Sequence, residues 1–444
     1  MKKALSVGFV VFALFSAQAK FVYDADNQKV VDTKNGWEFK ATFKNPDELN
    51  LDGTGCSYPD SSPCSLNLTE ITDADGKKYK AVSFKALPAA AKQCLTEFIA
   101  PDCQKIDGNE CFRDCKELLT VKLNETGGVT YLGSQSFMSC SKLENFAPRK
   151  LGVENLSANT FRLCSSLDGG FDLPTCKQIS DRAFADCVKL EWISAPELTM
   201  VGEAAFSGCS SLSSVSVQKV SQISNSAFSN CSSLSDESLK RLLPGGIEYL
   251  GRNAIDSQEY LFSGCTALTG PVVWDFPSLK TNVVAKGMFR GCTSLSEVKI
   301  ISEVAEIKDM AFHNIASGAS IYMPLTAPAV YGMRAVSRSS GNYPKVYLKG
   351  NHDEWLDVMR QHHSVILKED FNNSDNWVLN GLVATKEKVR AAMIKDGAMC
   401  VEAENKIRTV DRNVIAFAYY VDNNETGSCW VLKIPEQGFR IIVR

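Results

Sequence analysis

Phenylalanine, cysteine and leucine recur together along this chain at offsets of three and six, and no other feature restricts the fold so strongly. The stretch "AFSGCSSLSSVSV" (205–217) holds one copy, and "AFSNCSSLS" repeats it 22 residues later. In order, the pairs are Phe112/Cys115, Phe137/Cys140, Phe161/Cys164, Phe184/Cys187, Phe206/Cys209, Phe228/Cys231, Phe262/Cys265 and Phe289/Cys292. Successive phenylalanines lie 25, 24, 23, 22, 22, 34 and 27 residues apart, and each cysteine is followed three residues on by leucine, from Leu118 to Leu295. A ninth copy around Phe312 has lost the cysteine and the leucine, as terminal repeats do.

Phe, Cys and Leu at this spacing project from one side of a short helical or turn segment. After the leucine comes an alternation, as in Leu212-x-x-Val215-x-Val217, and period two means a strand with one face buried. An aliphatic residue five before the next Phe recurs at Leu132, Leu156, Ile179, Val201, Ile223, Val284 and Ile307. Each unit is therefore one strand plus one tight return. It cannot bury its apolar edge alone, but stacked units can, with equivalent side chains forming ladders. Cysteine fits such a ladder as a small buried apolar residue beside a large phenylalanine, and all eight cysteines from Cys115 to Cys292 are expected to play that one part. Metal binding is disfavoured because the close pair Cys111/Cys115 has no histidine nearby. Disulfides between copies are the weaker alternative, since side chains pointing inward in parallel meet the required geometry poorly.

The combined pattern, L-x-x-φ-x-φ followed by φ-x-x-x-A-F-x-x-C-x-x-L, resembles the BspA-like class of bacterial leucine-rich repeats. The phrases "VGEAAFSGCSSLSSVSV" (201–217) and "ISNSAFSNCSSL" (223–234) carry the likeness most closely. The resemblance implies an α/β leucine-rich-repeat solenoid: a parallel sheet of short strands with tight helical or turn returns, on a secreted or surface-exposed protein used for adhesion or recognition.

The flanks divide the chain further. Residues 1–19 have Lys2 and Lys3, an apolar run and a small-residue ending Ala17-Gln18-Ala19, which reads as a secretory signal peptide. Residues 20–94 form an N-terminal capping region, with a hairpin turning at Asp75-Gly76. The solenoid spans 95–325, its C-terminal cap 326–368, and a small β-rich domain 369–444, with a helix expected over 385–395. In an exported protein, Cys56 and Cys64 are candidate disulfide partners, as are Cys400 and Cys429. The 34-residue interval holds an insert. "SDESLKRLLPGG" has Ser235 as N-cap, Leu239, Leu242 and Leu243 on one side, and a Pro-Gly-Gly stop, while Ile255 and Phe262 would share a buried face.

The chemistry of catalysis is hard to find. The four histidines do not form H-E-x-x-H, and no nucleophile elbow, P-loop or dinucleotide fingerprint is present. The net charge of -3, with no basic block, gives no ground for a nucleic-acid partner. No cofactor or metal is expected, and no membrane span in the mature chain. The favoured reading is a non-enzymatic binding protein at the cell surface, outside the cell or in the periplasm, presenting its sheet face to a protein or glycan. The alternative is a secreted enzyme or enzyme subunit with its activity in the C-terminal region and the solenoid as targeting scaffold. On the sheet, residues between the inward φ positions face solvent. They include Thr120, Lys122, Asn145, Arg149, Trp192, Ser194, Ser214, Ser216, Glu297 and Lys299. Trp192 stands out among small and polar neighbours, either packed on Pro196 or an aliphatic stem, or exposed as a binding hot spot.

Overall fold

A computed structural model describes residues 21–322 except 34–35, 56, 58–62, 126–127 and 252–258. Beyond 322 it describes 323, 330–331, 339, 345–349, 376–380, 399–403, 406–409, 415–421 and 429–433, almost entirely as strand backbone. The signal peptide, Cys56, Ile255 and the helix expected over 385–395 lie outside the described residues.

Each copy but that of Phe228 contributes two strands to two parallel ladders. The longer strands, such as Thr120–Lys122, Asn145–Ala147, Leu190–Ala195 and Ser214–Val217, build the main sheet. The shorter ones hold the recurrent aliphatic residue, as in Gln178–Ile179, Met200–Val201 and Gln222–Ile223, and pair in register. Between the ladders lies the core. The phenylalanines from Phe112 to Phe312 stack in one unbroken column, with successive centroids 5.1–6.0 Å apart and rings within 3–12° of parallel. The insert does not interrupt it, since Phe228 and Phe262 stack at 5.6 Å. Burial of each ring contributes about 1.5–3 kcal/mol and each aromatic contact about 0.5–1.5 kcal/mol more.

The returns are turns, not helices, which corrects the α/β expectation. In every copy the residues two before and two after the phenylalanine are left-handed, with φ from 33° to 77°. Glu110/Asp114, Gln135/Ser139 and Arg182/Asp186 are examples, and only some positions use glycine, such as Gly208. Left-handed residues four apart, one on either side of each phenylalanine, stop a right-handed helix from propagating. They also aim alternate N–H groups at the next copy. Gln135, Phe137 and Ser139 donate to the carbonyls of Ala158, Thr160 and Arg162 at 2.9, 2.9 and 2.8 Å. Hydrogen bonds between copies thus replace those a helix would make within one. The intervening N–H groups bond three residues back, as Cys115 does to Phe112 at 3.1 Å and Cys140 to Phe137 at 3.2 Å.

The only α-helix among the described residues is Asp236–Leu242, in the insert. Ser235 caps it by accepting from the Ser238 N–H, and Leu239, Leu242 and Leu243 are buried. It occupies the place a strand would take beside Ser214–Val217, where the Ser238 hydroxyl accepts from the Val215 N–H at 2.9 Å and donates to the Ser213 carbonyl at 3.0 Å.

At the N-terminal end, Phe21–Asp24, Lys29–Asp32, Glu38–Asn45 and Glu48–Asp52 pair antiparallel in succession. Glu48–Asp52 then pairs parallel with Lys78–Phe84, and Lys78–Phe84 with the first short strand, Lys105–Ile106. Ile71–Thr72 folds back on Lys78–Phe84 through the expected turn at Asp75-Gly76. Phe84 links the two cores, lying 5.5 Å from Phe39 and 5.8 Å from Phe112. Cys64 is bonded to Cys94, not to Cys56, with Cα atoms 5.3 Å apart. The reason is the stacking of adjacent strands: Cys64–Asn67 runs beside Leu95–Ile99, with Cys64 opposite Leu95.

At the other end the main sheet passes through Val272–Trp274, Glu297–Ile300, Ser320–Met323 and Lys345–Lys349 to Asn376–Asn380, all parallel. It then continues antiparallel through Cys429–Lys433, Ile415–Val421, Lys406–Thr409 and Met399–Ala403. Two strands separate Cys400 from Cys429, on the order of 14 Å at the usual strand spacing. That separation corrects the expected pairing, because a disulfide needs Cα atoms within about 7 Å.

Candidate ligand face

The main sheet buries every second side chain and presents the others on its outer side. Val121, Phe146, Ile193 and Val215 point into the core, while Lys122, Asn145, Trp192 and Ser214 are exposed. Parallel register sets the outward residues in rows: Glu97, Thr120 and Asn145 lie opposite one another, and Trp192 lies opposite Ser214.

The expected face residues fall into three groups. Lys122, Asn145 and Arg149 come together around a cavity of about 420 Å³, lined also by Glu97, Thr120 and Ala147. Trp192, Ser194, Ser214 and Ser216 form a second, contiguous group on two paired strands. Glu297 and Lys299 stand apart, on the stretch of the main sheet beyond the insert helix, and pair with each other at 2.7 Å.

Arg149 forms a wall of the cavity where two sheets meet. The ladder ending at Asn145–Ala147 and the one beginning at Gly169–Asp172 are joined only by the single bridge Lys150–Asp172. The Arg149 guanidinium crosses this junction, 5.2 Å above the centroid of the Phe171 ring. Its Nη2 donates to the Glu144 carbonyl at 3.0 Å and to Asp168 Oδ1 at 3.1 Å. Burial pulls its pKa down from the ordinary value, and the Asp168 carboxylate opposes that shift. Arg149 is therefore a held group, whereas Lys122 has no ion-pair partner among the described residues and projects freely.

Trp192 is seated against the neighbouring strand. Its indole rests on Gly170 of the neighbouring strand, where a Cβ would collide with Cγ and Cδ2 of the ring and with the Trp192 carbonyl. The side chain remains 37% exposed, so it is seated and accessible together. Ser216 is taken up by Arg241 of the insert helix, whose Nη1 donates to its hydroxyl at 3.0 Å.

Three of these residues escape the repeat pattern. Glu97 sits in Leu95–Ile99, whose Leu95-x-x-Phe98 carries half the motif with no Phe-x-x-Cys before it. Gly170 lies in "LDGGFDL" (167–173), the one copy with two consecutive glycines within three residues of its leucine. Asp168 acts only through Arg149 and leaves no signal.

Inside, the ladder thiols are free and buried, as are Cys103, Cys111 and Cys176. From Cys140 to Cys292, each Sγ donates to the carbonyl of the preceding copy's phenylalanine at 3.0–3.2 Å. Cys115 fits the expected packing role and differs from the other seven in one contact. It is free and wholly buried like the others, but its thiol contacts that of Cys140 in the next copy instead of a preceding phenylalanine carbonyl. The reason is its place at the head of the column. The chain ahead of Leu95–Ile99 is the short 3-10 turn Ala91–Gln93, which has no phenylalanine to offer that carbonyl, and Cys94 is committed to its disulfide. Burial pushes Cys292 up to about 12 and raises Cys140, Cys164, Cys187, Cys209, Cys231 and Cys265 as well. These raised thiols are poor nucleophiles and poor metal ligands. No group of three or more His, Cys, Asp or Glu arranged to hold a metal occurs among the described residues, Cys111 and Cys115 included.

A family model, the BspA type leucine rich repeat region, matches residues 89–174, 169–258 and 249–331. Among curated proteins, none matches the chain. A leucine rich cell surface protein from Faecalibacterium prausnitzii A2-165 is 16% identical over 81% of this chain and 96% of its own, with a TM-score of 0.38. A leucine-rich repeat protein from Bacteroides ovatus ATCC 8483 is 21% identical over 73% and 95%, with a TM-score of 0.29. The pneumococcal vaccine antigen PcpA is 14% identical over 76% and 96%, with a TM-score of 0.27.

Proposed function

This chain belongs to the BspA-type leucine-rich-repeat family, and from that premise we propose that it is an exported binding protein whose main-sheet face receives the ligand. The observation that carries the reading is the coincidence of the cavity with that face. Lys122, Asn145 and Arg149 line it, and the seated but exposed Trp192 is two strands away. Pockets of 300–1,000 Å³ with a few convergent polar groups are what ligand sites look like. Export is supported by the charged, apolar and small-residue succession of 1–19, and no helix among the described residues is long and apolar enough to cross a membrane. Recognition needs no turnover: a stacked array supplies a rigid surface, and the residues on it supply specificity.

The test compares variants on two surfaces. Lys122→Ala with Trp192→Ala changes the sheet face, and Glu154→Ala with Lys177→Ala changes an exposed ion pair near the short ladder. Capture of arrayed glycans and purified extracellular proteins should fall with the first pair and persist with the second. The opposite pattern would move the site off the sheet. Turnover on polysaccharide, peptide or ester substrates that vanishes on deleting 369–444 would establish the enzymatic alternative instead.

A further inference from the structure

The cavity and the indole together say more about the ligand than either does alone. We infer that they are successive subsites for a neutral oligosaccharide: one sugar ring stacks on Trp192, and the rings that follow are hydrogen-bonded by Asn145, Lys122 and Glu97. The inference rests on the sheet-face reading above and narrows it to one ligand class.

Three observations carry it. First, the cavity groups are mixed in kind. Glu97 accepts, Lys122 donates, and Thr120 and Asn145 do both. A sugar hydroxyl is donor and acceptor at once, so a neutral polyol can satisfy all four. Second, the local charge is balanced. Lys122 is offset by Glu97 across the cavity, and Arg149 is already bound to Asp168 at 3.1 Å. A site for an acidic saccharide would carry an unmatched excess of cations. Third, the exposed aromatic side chain beside the cavity is a single indole, flanked by small residues such as Ser214 and Gly170, while the cavity's own apolar lining is Phe146 and Ala147. The core of a protein–protein interface is a broad apolar patch. One aromatic face instead matches the C–H face of one pyranose ring. One strand, Gly169–Asp172, lies between the strand of Asn145 and that of Trp192, and Lys122 and Glu97 lie one and two strands beyond Asn145, so the occupant that reaches from the indole across the cavity is a short oligosaccharide chain.

The experiment uses the full secreted chain with defined probes: neutral gluco-, galacto- and manno-oligosaccharides of two to six residues, the matching uronic acid oligomers, and unstructured peptides. Calorimetry and quenching of tryptophan fluorescence read the binding, and thermal melting checks each variant. A neutral oligosaccharide should bind. Trp192→Ala should weaken it about thirtyfold and Asn145→Ala about tenfold, with Trp192→Phe restoring most of the stacking loss. Preference for uronic acid oligomers, abolished by Lys122→Ala, would overturn the neutral-sugar assignment. So would the absence of any saccharide binding at millimolar concentration. If peptides or proteins bind and the face variants abolish that binding, the sheet face stands and the sugar assignment falls. If saccharides bind with unchanged affinity to Trp192→Ala and Asn145→Ala, both readings fail.

Discussion

The interior column and the outer face are built from the same strands and turns, yet they obey opposite rules. Inside, the copies from Phe112 to Phe289 repeat the same side chains, and Phe206 has the same stacked neighbours on either side as Phe184 or Phe228. Only at the head of the column, at Cys115, does a ladder contact change, where the preceding copy is missing. Outside, no copy repeats its neighbour: a cavity at one set of strands, an indole on a glycine at the next, a self-neutralised ion pair further on. Repetition marks what the stack needs to exist. Departure from repetition marks where a surface has been given a separate task.

The largest expected effect lies in the column. Phe206→Ala should destabilise the chain by about 3–5 kcal/mol, because the ring is fully enclosed and the two flanking phenylalanines cannot close the gap. Hydrogen exchange should show lost protection in the copies on either side before distant ones. Uniform loss along the whole array would mean the copies do not couple mainly to their neighbours.

The thiols give the next test. Cys231→Ala removes the donor to the Phe206 carbonyl, 3.1 Å away, and should cost about 1–3 kcal/mol. Cys231→Ser keeps a donor, so it should be at least as stable as the alanine variant. If serine is worse, the cysteine is there as apolar volume alone. The pH dependence follows from the same burial. Cys292 titrates near 9.0 when unperturbed and is raised to about 12 in the fold. Its folded form keeps the proton, so its contribution is complete below about pH 9 and declines as pH rises toward 12, where only the unfolded chain ionises. Urea midpoints should therefore fall across that window. Thiol reagents should react with the ladder cysteines only after denaturation.

How much of this was legible beforehand follows the same division. Phe, Cys and Leu at fixed offsets disclose the stack because each packs against its own copies. The left-handed turns were hidden, since spacing by three suits a helix as well as a series of turns. The residues that take positive φ, such as Glu110, Leu163 and Arg182, carry no common signal. Cys94 as the partner of Cys64 was hidden because the pairing depends on which strands stack. The different contact of Cys115 was hidden for a related reason: its own copy is complete, and only the copy before it is not. On the face, alternation alone indicated which residues point outward. That Lys122, Asn145 and Arg149 converge depends on Asp168 and Phe171, which hold the arginine in place.

Gly170→Ala probes the boundary between the two rules. The new methyl would collide with the indole and with the backbone carbonyl of Trp192, so strand or ring must shift, at about 1–3 kcal/mol. The expected signature is a modest loss of stability with a shifted tryptophan emission and weakened ligand capture. Unchanged emission would show that the glycine does not seat the ring.

The smallest effect is expected where the face has no task. Glu297 and Lys299 pair at 2.7 Å two residues apart on one strand, and both are substantially exposed. Exposed pairs of this kind add little to stability, because solvent and salt screen them. Their mutual contact also leaves little unmet hydrogen-bonding demand for a ligand to satisfy. A Glu297→Ala and Lys299→Ala cycle should therefore show no resolvable coupling, and neither change should alter capture. These are outward residues chosen by the same alternation as those at the cavity. If removing them weakened binding as much as Asn145→Ala does, exposure on the sheet rather than local departure from the repeat would be what selects the ligand, and the contrast between column and face would lose its functional meaning.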